Sequence, residues 1–251
     1  MEGRLTMKPG TLRQILLLTD GCSNQGTDPA FMAARAHEQG ITVNVIGVME
    51  NDVIDEKGMN EIQSIARSGG GASQIVYTQQ LSQTVQMVTR KAMTQTIQGV
   101  INRELQQILG DSTTMEDLPP DKRGEVMEVV DELGETSKLE VLILVDTSAS
   151  MKHKLEIVKD SLLDLSLSMN ARQGDNQFSV FTFPGKKYDV EKLVDWTPKL
   201  EVLTKIFPKL TTGGITPTGP AIEEAVAYFN KKRSLRGLLS NDDEQYFEGS
   251  M

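Results

Sequence analysis

Asp146, Ser148 and Ser150 stand at alternate positions in the stretch Val141–Met151, VLILVDTSASM, directly after a run of five apolar residues. Such a run reads as a buried parallel strand whose carboxyl end delivers the aspartate to the sheet edge, where open α/β sheets bind ligands. One carboxylate and two hydroxyls on a tight turn are hard oxygen donors, the set that Mg²⁺ or Mn²⁺ prefers. A plain helix N-cap accounts for one of the serines but not for all three oxygen groups. Two further stretches carry the same chemistry. Ile15–Leu18 is a second short apolar run, and it ends on Thr19, Asp20 and Gly21, so a second strand hands an acid to a glycine turn. Thr211–Gly219, TTGGITPTG, is too rich in hydroxyls and glycine for an ordinary spacer, and its threonines can supply another oxygen ligand.

These loops need elements to hold them. After the strand near 14–18, Pro29 opens a helix that runs to about Gln39 and is closed by Gly40. Thr42–Val48 is β-branched and reads as a strand, followed by a loop over 51–55 and a helix over about 57–68. Gly69, Gly70 and Gly71 read as a turn before a strand at Gln74–Tyr77; a phosphate loop would need the opposite order of strand and helix. From Leu81 to Leu109 apolar residues recur at helical spacing, which predicts one extended helix or two in line. At 1.5 Å per residue it spans about 43 Å, more than one sheet flank needs, so its far end is expected to pack on something else. Gly110–Ser137 is a charged connector in which Pro119 and Pro120 start a short amphipathic helix, with Val126, Val129, Val130 and Leu133 on its apolar side. Leu155–Met169 reads as a helix, Phe178–Phe183 and Val190–Trp196 as an antiparallel hairpin with Trp196 as a core or edge anchor, and Leu200–Leu210 and Pro220–Lys231 as two more helices. Leu238–Met251 is acidic and reads as a loose tail, while Met7 is a plausible alternative start that makes 1–6 an extension.

Bulk properties exclude several classes of function. The chain of 251 residues carries 35 acidic against 26 basic side chains, net −9, with no basic stripe interleaved with aromatics, which argues against nucleic acid as a partner. Cys22 is the single cysteine, so no intrachain disulfide forms, and His37 and His153 stand far apart with no cysteine cluster, which argues against structural zinc. No apolar stretch reaches the roughly 18 residues of a membrane span, and no signal peptide opens the sequence. The expectation is a soluble, cytoplasmic protein.

Taken together, DTSAS at 146–150, ITPTG at 215–219 and TDG at 19–21 resemble the metal-ion-dependent adhesion site of von Willebrand factor type A (VWA) domains, written DxSxS, TxTG and TDG. The family has them in that order; here the third comes first. Moving residues 7–109 behind 236 restores the family's succession of strands and helices, hairpin included. The sequence thus resembles a circularly permuted VWA domain: 7–109 as its C-terminal half, 110–137 as the connecting linker, 138–236 as its N-terminal half and 237–251 as an acidic tail. The resemblance implies an α/β, Rossmann-like fold with a central, mostly parallel sheet of about six strands, one antiparallel edge strand and helices on both faces. It implies Mg²⁺, with Mn²⁺ as the alternative, held by Asp146, Ser148, Ser150, Thr216 and Asp20, the serines and Thr216 binding directly and the aspartates partly through water. Thr218 matches the second threonine of TxTG, which is structural in the family. Among members, those of spore-forming bacilli are similar, which implies a role in sporulation.

The expected function is non-catalytic: an open position on the metal is completed by an Asp or Glu of a partner protein. An enzyme using Asp146 as an aspartyl nucleophile in Mg²⁺-assisted phosphoryl transfer is the competing class. It lacks an acid two residues on, where Ser148 stands, and a catalytic His or Lys in these loops. A third reading is a scaffold that pairs with copies of itself through the helix at 81–109, or exchanges halves between chains.

Overall fold

The computed structural model describes residues 10–50, 54–109 and 114–247, the side chains of residue 109 and of 236–247 excepted. The expected extension at 1–6 lies outside the described residues, as do 51–53 of the expected loop, 110–113 of the linker and the last four residues of the tail. Six strands, β1 (Thr11–Thr19), β2 (Ile41–Met49), β3 (Gly70–Tyr77), β4 (Lys138–Asp146), β5 (Asn176–Phe183) and β6 (Glu191–Thr197), form one sheet in the order β3-β2-β1-β4-β5-β6. All neighbours are parallel except β5 and β6, which pair antiparallel at the edge as the hairpin reading requires. The two most continuously apolar strands, β1 and β4, lie side by side at the centre, with Ile15 opposite Leu142 and Leu18 opposite Val145.

Alternation along these strands decides the two layers. Leu16, Leu18, Ile143 and Val145 face one core; Ile15, Leu17, Leu142 and Leu144 face the other, and all eight are fully buried. Successive side chains of a strand point to opposite faces, so a run that is apolar at every position demands helices on both. One face is covered by α3 (Leu81–Leu109), α4 (Pro120–Thr136), α5 (Leu155–Met169) and α6 (Leu203–Ile206). The other is covered by α1 (Pro29–Glu38), α2 (Glu56–Ser68) and α7 (Thr218–Phe247). The surplus length of α3 is taken up by α4: Ile97, Ile101 and Leu105 share a core with Val130 and Leu133, so the linker helix covers the domain. Among the described residues no helix is long and apolar enough to cross a membrane.

Three expectations are corrected. The turn at the glycine triplet is shorter than expected: Gly69 caps α2 and makes the turn, and Gly70 and Gly71 already belong to β3, which starts before Gln74. A Cβ on Gly71 would lie 2.2 Å from the Val43 carbonyl oxygen, so close approach of β3 to β2 is what requires glycine there. Leu200–Leu210 is not one helix; its α-helical part is only α6, followed by a 3₁₀ turn at Phe207–Lys209. Pro208 has no N–H to donate and its ring clashes with the preceding turn, which ends the α-helix although Leu200, Leu203 and Phe207 are buried as an amphipathic pattern predicts. Finally, α7 continues to Phe247 where a loose tail was expected. From Lys231 on the sequence contains no proline and many strong helix formers, so low apolar content did not prevent the helix from propagating.

Candidate metal centre

The pairing of β1 with β4 places Thr19 and Asp20 beside Asp146 at the carboxyl edge of the sheet. Asp146 is fully buried, and both of its carboxylate oxygens accept from protein donors. The Ser148 amide donates to Oδ1 at 2.7 Å and the Thr19 hydroxyl to Oδ2 at 2.7 Å. Burial raises the Asp146 pKa to about 6, against the lowering effect of the Ser148 and Thr19 hydrogen bonds, and the nearby charge of Asp20 adds to the rise. Ser148 Oγ and Ser150 Oγ are 3.2 Å apart, and the Ser150 hydroxyl donates to Asp20 Oδ1 at 2.8 Å. Four of the five expected ligands therefore form one hydrogen-bonded chain, from Asp146 through the two serines to Asp20.

Thr216 joins by its backbone. Its amide donates to Asn24 Oδ1 at 2.8 Å, and its carbonyl accepts from the Asn24 amide at 3.2 Å and the Ser23 hydroxyl at 3.2 Å. Glu61 on α2 accepts from the Ser23 amide at 2.6 Å, so the loop after Asp20 is tied on one side to α2 and on the other to Thr216. The threonine-rich loop is tied a second time, by the Gly213 amide to the Thr147 carbonyl at 3.0 Å. The glycine of TPTG has a physical role: a Cβ on Gly219 would lie 1.8 Å from the Thr27 carbonyl oxygen. Thr218 is buried at the start of α7, and its hydroxyl has no hydrogen-bond partner among the described residues.

Sequence reasoning missed two members of this centre. Thr19 directly holds Asp146; its signal was a hydroxyl residue at a strand end immediately before an acid. Lys154 was missed altogether, since no lysine was read into these loops, yet its ammonium contacts Asp20 Oδ2 at 2.6 Å with both side chains at least 96% buried, exposures being 4% and 3%. It sits at the N-cap of α5, one turn beyond Ser150, where the intervening 3₁₀ turn Ala149–Met151 folds it back over the site.

The expected donor set of two carboxylates and three hydroxyls is all oxygen. Hard oxygen donors of this kind are the type that Mg²⁺ and Mn²⁺ prefer; among the described residues no three His, Cys, Asp or Glu side chains converge. Beyond Thr147 the surface opens into a cleft of about 210 Å³ lined by Thr182, Pro184, Lys186, Glu191 and Thr212.

Family models described as von Willebrand factor type A domain match residues 141–244 and residues 1–108. An uncharacterized protein YabS of Bacillus subtilis (strain 168) is 62% identical over 245 residues, 98% of this chain and 100% of that protein. The chain belongs to the von Willebrand factor type A family. A crystal structure of an uncharacterized protein from Alicyclobacillus acidocaldarius is also similar, 40% identical with a TM-score of 0.82, over 90% of this chain and 97% of that one. VWA domains commonly bind a divalent metal and mediate protein interactions.

Proposed function

We propose that this VWA protein is a non-catalytic, metal-dependent protein-binding module. Asp146, Ser148, Ser150, Thr216 and Asp20 hold Mg²⁺, with Mn²⁺ as the alternative ion, and an Asp or Glu of a partner protein takes the remaining position. The supporting observation is the hydrogen-bonded chain from Asp146, through the Ser148 amide and the two serine hydroxyls, to Asp20 at the carboxyl ends of two adjacent strands, the place where open α/β sheets bind ligands. A divalent cation bound there supplies a Lewis-acidic position for a carboxylate oxygen. The protein's part is to orient the oxygens: Thr19 and the Ser148 amide fix the Asp146 carboxylate, and Asn24 and Ser23 fix the loop of Thr216. The adjacent cleft offers space for a neighbouring side chain of the partner.

Permutation of the two VWA halves belongs to the same reading, supported by the two separate family matches on either side of the linker and by the β1–β4 pairing at the sheet centre. Cytoplasmic location and a role in sporulation rest on the resemblance to members from spore-forming bacilli. Against aspartyl phosphoryl transfer, Asp146 is fully buried, and Ser148 stands two residues on, where the general acid of such an enzyme would be.

Calorimetric titration with Mg²⁺ tests the reading. Wild-type protein is expected to bind, and Asp146→Ala is expected to lose binding while keeping its fold by circular dichroism. Undiminished Mg²⁺ affinity in Asp146→Ala would refute it.

A further inference from the structure

Lys154 occupies a position, at the start of α5, that local preferences do not favour. A helix N-cap favours Ser, Thr, Asp or Asn, and the positive end of the helix dipole repels a cation; a lysine buried there needs a strong compensating partner. The partner is Asp20, at 2.6 Å. Asp20 is thereby shared: Oδ1 faces Ser150 and the oxygen chain, and Oδ2 faces the ammonium.

Charge decides what this does. Asp146 and Asp20 as carboxylates contribute −2, which a divalent ion would cancel. Lys154 adds +1, so the loaded centre carries a net +1 that a single carboxylate from outside brings to zero. We propose that Lys154 is a charge-setting residue of this centre: it weakens the hold on the divalent ion and in return makes the loaded centre select an anionic ligand. The inference rests on the metal-binding reading above and concerns how that site chooses its ligand. Attraction and repulsion across a few ångströms between side chains as buried as Lys154 and Asp20 are larger than in bulk solvent, so one uncompensated charge is enough to shift both equilibria.

The test uses Mn²⁺ and acetate on the full chain. Mn²⁺ binding is followed by calorimetry, and acetate binding by the fall in water-proton relaxivity as acetate displaces water from the bound Mn²⁺, at constant ionic strength. Wild type is compared with Lys154→Met and Lys154→Gln; the glutamine keeps a hydrogen-bond donor for Asp20 without the charge, and it carries the test if the methionine variant does not fold. Removal of the charge is expected to tighten Mn²⁺ binding by about tenfold or more and to weaken acetate binding to the loaded protein by a similar factor. Mn²⁺ affinity that stays the same or falls in the folded variants, or unchanged acetate affinity, overturns the role of Lys154 while leaving the metal site in place. Failure of wild type to bind Mn²⁺ at all overturns both.

Discussion

At the scale of single residues, the centre is built around a carboxylate that water does not reach. Asp146 accepts from Thr19 and from the Ser148 amide, yet burial still outweighs these bonds and lifts its pKa from the ordinary 3.8 to about 6. The folded state therefore holds this proton more tightly than the unfolded state. Its stabilising effect is full below about pH 4, declines as pH rises, and is lost above about pH 6. Thermal melts of the metal-free protein in chelator across that range are expected to show stability falling with rising pH, and Asp146→Asn is expected to remove that part of the slope. A slope that persists unchanged in Asp146→Asn would assign the effect to other groups.

At the scale of elements, the site depends on three loops packed backbone to backbone. The loop after β1 meets the start of α7 at Thr27 and Gly219, where no Cβ fits, and meets Thr216 through Asn24 and Ser23. Gly219→Ala is expected to push these loops apart at a cost of about 1 to 3 kcal/mol in urea unfolding, and to weaken Mg²⁺ binding although no ligand is altered. Unchanged Mg²⁺ affinity in that variant would show that Thr216 is not positioned by this contact. The helices are simpler to account for. α5 lies where its periodicity predicts, from Leu155 to Met169, because its apolar stripe has a full sheet face to cover. Pro208 cuts the next helix short, since a missing N–H outweighs a favourable stripe.

At the scale of the whole molecule, the two stretches on either side of the linker are parts of one core. β1 from the first and β4 from the second pair at the centre of the sheet, and Glu140 on β4 takes Arg13 from β1 at 3.6 Å and Lys232 from α7 at 3.2 Å. Neither part can bury its central strand alone. Cleavage within the linker at 110–113 is expected to leave the two fragments associated and folded, and each fragment expressed alone is expected to lack a cooperative unfolding transition. A fragment that unfolds cooperatively by itself would contradict a single shared core.

The residues of the chain were sufficient to determine the strands and the edge hairpin, and the resemblance to VWA domains implied that Asp146, Ser148, Ser150 and Asp20 meet at one site. Apolar runs that end on an acid have only one economical burial, at the centre of a parallel sheet with their acids at the same edge. Tertiary structure alone decided the partners of those acids. Lys154 folds back through a 3₁₀ turn, and Thr19 faces Asp146 across 127 positions of sequence. A hydroxyl residue beside an acid marks Thr19 as a candidate, but its partner, and the fold-back of Lys154, depend on how far one turn rotates and on which neighbouring strand end it meets.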